Sequence, residues 1–89
     1  MKAIITVIGK DRPGIIAGVS NTLYKLNINI LDVSQTVMDS YFCMIMLIDL
    51  SKNTLPFDEM KTVVQKTGDD LGMKIRLQRT ETFDSMHRV

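Results

Sequence analysis

Apolar residues run almost unbroken from Ala3 to Ile8 and stop at Gly9. So short a run, rich in β-branched residues and bounded by glycine, predicts a buried strand. From Pro13 to Asn27 the period changes: Ile16, Val19, Leu23 and Leu26 recur every three or four residues, opposite Ser20, Asn21, Thr22 and Lys25. That spacing predicts an amphipathic helix ending near Asn27. Between Asn29 and Met38, Leu31, Val33 and Val37 alternate with Asp32, Ser34 and Thr36, and Asp39 and Ser40 lead at once into Tyr41 to Leu50. This predicts a hairpin with a short turn. A second helix is expected with Pro56 in its first turn, Phe57, Met60, Val64 and Leu71 on one face, and Gly72 as its stop. The last strand, Met73 to Arg79, alternates Met73, Ile75 and Leu77 with Lys74, Arg76 and Gln78.

The order βαββαβ has one economical solution. Right-handed crossovers interlock the two halves into a four-stranded antiparallel sheet with both helices on one face, an α+β, ferredoxin-like sandwich. The third strand complicates that picture, because both of its faces are apolar: Phe42, Met44, Met46 and Ile48 on one, Cys43, Ile45 and Leu47 on the other. One face packs on the helices. The other predicts a contact surface, and with it a homodimer or higher homo-oligomer. The competing expectation is that the tail, 80–89, folds back over this face, since Phe83, Met86 and Val89 recur every three residues.

Composition narrows the function classes. At 89 residues the chain predicts one domain, 1–89 including the short tail. Eleven Lys and Arg against ten Asp and Glu leave a net charge of +1, which gives no electrostatic footprint for nucleic acid or an anionic membrane. The single cysteine, Cys43, has no partner for an internal disulfide, and the apolar run after Lys2 is too short for a signal-peptide core or a membrane span. A reduced cytoplasmic setting is the default that follows.

Candidate chemistry concentrates at the first strand-to-helix junction, GKDRPGI over residues 9 to 15. Pro13 is preset for a helix start, and Asp11 is placed to cap free N–H groups around Gly14. The exposed helix end would present unpaired N–H groups and a positive dipole, which suit a small carboxylate.

That junction, followed after the helix by Asn27, Ile28, Asn29, Ile30, Leu31 and Asp32 and then a hairpin, resembles an ACT domain, the small-molecule regulatory module of amino-acid metabolism. The likeness spans the chain, and is to single-domain bacterial ACT proteins related to the ACT-repeat repressor of the glycine cleavage system. It implies a ligand, an amino acid or similar small carboxylate, held between two domains. Asp11, Arg12, Pro13, Gly14 and Ile15 of one domain and Asn29 of the other would form the site. Asn29 would grip an ammonium and a carboxylate, Asp11 would pair with an ammonium, and the N–H groups at Gly14 and Ile15 would take the carboxylate. Where the family often carries a polar residue two before the aspartate, this chain has Gly9.

Each residue also has a plainer role open to it. Asp11 can serve as a cap alone, Arg12 as a solvent-facing charge, Gly14 and Gly18 as points of close packing of helix on sheet, and Asn29 as a strand-start residue. No catalytic role is expected. Gly9, Gly14 and Gly18 lack phosphate-loop and dinucleotide spacing, and Cys43 and His87 supply neither a metal set nor a nucleophile with its base. Only Tyr41 and Phe42 could stack RNA bases, and no cofactor is implied. Two function classes follow: an oligomeric amino-acid sensor, or an interaction module without ligand that engages another regulatory or metabolic protein.

Overall fold

The structure is a computed structural model and describes residues 1–81. The predicted pattern of Phe83, Met86 and Val89, and His87 with it, lies outside the described residues. The elements are β1 (Lys2–Lys10), α1 (Ile15–Lys25), β2 (Asn29–Met38), β3 (Tyr41–Asp49), α2 (Phe57–Leu71) and β4 (Met73–Arg79). They form one antiparallel sheet in the order β2-β3-β1-β4, the ferredoxin-like arrangement expected from the pattern.

The core lies between the sheet and the helices. Ala3, Ile5 and Val7 of β1, Phe42, Met44, Met46 and Ile48 of β3, and Met73, Ile75 and Leu77 of β4 turn one face toward Ile15, Val19 and Leu23 of α1 and Met60 and Val64 of α2. Period two in the strands and period 3.6 in the helices therefore meet over one layer. The helices join each other through a 2.7 Å hydrogen bond between the Thr22 and Thr67 hydroxyls. Two glycines set the spacing. A Cβ at Gly18 would lie 3.0 Å from the Leu71 side chain, so this glycine allows close packing of helix on helix, not of helix on sheet. A Cβ at Gly68 would sit 2.8 Å from the Met73 carbonyl oxygen, so here α2 comes down on β4.

Both helices end on left-handed residues. After α1, Asn27 has φ 59°, and the N–H groups of Ile28 and Asn27 donate to the carbonyls of Leu23 (2.9 Å) and Tyr24 (3.0 Å), a Schellman closure. Gly72, with φ 70°, ends α2 as the sequence predicts. Pro56 does not lie within the first turn of α2. It occupies the N-cap position, with ψ 148°, and its carbonyl accepts from Glu59 and Met60.

The hairpin turns at Asp39 and Ser40 as expected, with Asp39 left-handed at φ 59°. β2 itself departs from expectation. A bulge between Ile30 and Asp32 takes Leu31 out of the alternation, leaving Ile30, Val33, Gln35 and Val37 opposite the buried face of β3. Val33 and Val37 nevertheless stay 44% and 53% exposed, because β2 is an edge strand that the helices barely overlap. On the side away from the helices, Cys43 and Ile45 of β3 and Ile8 of β1 are exposed, and Ile4 is buried. No helix among the described residues is long and apolar enough to cross a membrane.

Candidate functional site

The β1–α1 loop forms one candidate wall. Its start is fixed to the hairpin turn, where the Asp11 N–H donates to the Ser40 carbonyl at 2.8 Å. The helix begins two residues later than the sequence pattern predicts, at Ile15, and its N-cap is Gly14 with φ 89°. Pro13 therefore stands outside the helix. Asp11 does not cap it either: no side-chain bond caps α1, because Asp11 lies three residues before the N-cap, out of register with the free N–H groups. The first intrahelical bond runs from the Gly18 N–H to the Gly14 carbonyl at 2.9 Å, so the N–H groups of Ile15, Ile16 and Ala17 precede the hydrogen-bonded ladder.

Gly14 owes its place to that positive φ, since a Cβ there would meet nothing within 4 Å. It is not a packing glycine. Gly9 is one: a Cβ on it would lie 2.8 Å from the end of Met73. The volume a polar side chain would fill at this position is thus taken by a core methionine.

Arg12 is tied to the end of α2. Its Nη1 donates to the Leu71 carbonyl at 3.0 Å, placing the guanidinium at the negative end of the α2 dipole. The Asp11 carboxylate has no hydrogen-bond or ion-pair partner among the described residues. A shallow cavity of about 330 Å³ opens beside the loop, lined by Asp11, Arg12, Gly14 and the first turn of α1, with Gln35 and Val37 of β2 as its far side.

Asn29 lies at the opposite end of the molecule. It pairs with Asp49, which pairs with Lys2, whereas the loop follows Lys10 at the other end of β1. Eight residue steps at about 3.3 Å each separate the two ends, on the order of 26 Å. A single chain thus does not bring Asn29 to the Asp11–Ile15 segment.

Around Asn29 the structure assembles groups that the sequence pattern does not single out. A cavity of about 480 Å³ is lined by Tyr24, Asn27, Ile28, Asn29, Asp49 and Lys52. Its floor is well tied. Asn27 Nδ2 donates to the Lys52 carbonyl at 3.2 Å, Asn53 Nδ2 to the Leu26 carbonyl, and the Leu55 N–H to Asn53 Oδ1 at 2.8 Å. Asp49 Oδ1 accepts from the Ser51 hydroxyl (2.5 Å) and the Ser51 N–H (3.0 Å), and those bonds hold its carboxyl below the usual carboxylate range. The left-handed Asn27 was the one available signal, since an Asn after a helical run is a common stop. Two segments meet here, Tyr24 to Asn29 at the end of α1 and start of β2, and Asp49 to Lys52 at the end of β3, and only the pairing of β2 with β3 brings them together.

A family model of the ACT domain matches residues 2–78. A UPF0237 protein of Listeria innocua is 56% identical over the full length of both chains, and one of Clostridium acetobutylicum is 57% identical over 89 residues, again the whole of both. Among solved structures, an ACT domain protein from Streptococcus pneumoniae superposes with a TM-score of 0.83 at 43% identity, covering 94% of each chain. The match spans both candidate walls, the β1–α1 loop and the start of β2, and the chain belongs to the ACT domain family.

Proposed function

We propose that this ACT domain works as a homodimer that binds an amino acid between subunits, with the loop residues Asp11, Pro13, Gly14 and Ile15 of one and Asn29 of the other as its two walls. ACT domains are typically ligand-binding regulatory modules, and a regulatory part, without catalysis, is the reading adopted for this chain. The observation that carries the dimer is β2. It is a ten-residue edge strand with Leu31, Val33, Val37 and Met38 exposed, flanked by exposed Ile16 on α1. A long edge with apolar flanks is a template for pairing with another strand.

Pairing two β2 strands antiparallel about a two-fold axis through Ser34, with Leu31 bulged out of the ladder, sets Asn29 of one subunit opposite Met38 of the other. Asn29 would then lie beside the partner's loop cavity, whose far wall is Gln35 and Val37. The distance that separates the two walls within one chain becomes the reason for two chains. In this site the carboxylate of the ligand meets the free N–H groups at the start of α1, its ammonium meets the unpartnered Asp11 carboxylate, and Asn29 closes the other side. Arg12 is not assigned to the ligand. Its bond to Leu71 instead braces the loop against the end of α2.

A thermal-shift screen of the twenty common amino acids tests this. A ligand at about 100 times its dissociation constant adds about 2.7 kcal/mol of stability, which in a domain of this size raises Tm by at least about 10 °C. A shift from one or a few amino acids supports the sensor. No shift from any at millimolar concentration supports the interaction module instead, with the exposed β2 edge as its contact surface.

A further inference from the structure

Resting on the intersubunit site just described, we infer that Lys52 gives it a preference for an amino acid with an acidic side chain. In that site the α-amino and α-carboxyl groups belong to the loop wall, so the ligand's side chain points across to the cavity at Asn29. With about 480 Å³ that cavity is roomy enough for a side chain of any common amino acid. Its chemistry is set by what is free to bind. Asp49 is engaged through Oδ1 by the Ser51 hydroxyl and N–H and lies 4.0 Å from the Met1 amino group, so one oxygen of this carboxylate is already committed within the chain. Asn27 spends its amide on the Lys52 carbonyl. The Lys52 ammonium has no ion pair or hydrogen bond among the described residues.

Lys52 is also anchored where it stands. The Asn27 amide holds its carbonyl, and the next residue, Asn53, is pinned by its side chain to Leu26 and by its carboxamide oxygen to Leu55. A free cation on a fixed backbone, beside an exposed carboxamide at Asn29, receives a carboxylate better than an amide of the same shape. The charge-assisted bond to an anion is roughly twice as strong as its neutral counterpart.

The experiment compares L-aspartate and L-glutamate with L-asparagine and L-glutamine by isothermal titration of the full chain, Lys52→Gln and Lys52→Arg. The expected result is that the parent binds an acidic amino acid at least about tenfold more tightly than its amide. Lys52→Gln would then lose most of that preference with an unchanged Tm in the absence of ligand, and Lys52→Arg would keep it. Binding of other amino acids in the twenty-member screen, with no preference for the acidic members or with a preference that Lys52→Gln leaves intact, overturns this inference and spares the sensor. Binding of none of the twenty overturns both.

Discussion

Asp11 and Gly14, three residues apart, divide the work at the start of α1 in a way that stability measurements can read. Gly14 holds φ 89° with open space around it, so an added methyl group costs only backbone strain. Chemical denaturation is expected to place Gly14→Ala about 1 to 2 kcal/mol below the parent, the usual penalty for a side chain in the left-handed region. Asp11→Ala is expected to stay within about 0.5 kcal/mol, as for a surface residue that caps nothing. The reverse order, with Asp11→Ala the more damaging, would show that the carboxylate does cap the helix. Gly9 illustrates a different constraint. Its missing side chain is explained by Met73, which fills the position from the core, so the low polarity of the loop wall follows from packing in β4.

At the level of elements, most of the fold is legible in the sequence because each period maps onto one burial pattern. β4 buries Met73, Ile75 and Leu77 and exposes Lys74 and Arg76, as its alternation requires. α2 buries Met60 and Val64 and keeps Asp58, Glu59, Asp69 and Asp70 in water. The failures share a cause. Alternation in β2 describes sides of a strand, not whether anything covers them, and only its place at the sheet edge shows that Val33 and Val37 stay open. The bulge at Leu31 and the later start of α1 depend on backbone geometry that side-chain pattern does not encode. The candidate site was legible in half. The loop carries a local motif, while Asp49 and Lys52 join Asn29 only through the topology.

An uncovered edge makes a prediction of its own. Val37→Lys places a charge on the edge strand beside which a second β2 would pair, while leaving the core untouched, since Val37 is already half exposed. Sedimentation equilibrium of the parent at micromolar concentration is expected to give about twice the 10.1 kDa chain mass, and Val37→Lys about the chain mass, with the far-UV circular dichroism unchanged. A parent that sediments as a monomer would contradict this pairing. So would a variant that remains dimeric, which would move the contact to the open sheet face around Ile8, Cys43 and Ile45.

For the whole molecule, the separation between the two walls decides the account. Asn29 and the β1–α1 loop stand at opposite ends of one sheet, so a site that uses both is completed by a second subunit or does not exist. Each dimer would hold two such sites, each built from the loop of one chain and the Asn29 of the other. The most direct test mixes Asp11→Ala with Asn29→Ala and titrates the amino acid that raises Tm most in the screen. Alone, each variant has one damaged wall in both of its sites and binds weakly. After subunit exchange, half of the dimers are mixed and one of the two sites in each is intact, so parent-like affinity is expected to return at about a quarter of the total sites. If the mixture binds no better than the separate variants once exchange is complete, the two walls do not meet across subunits and the intersubunit site is wrong.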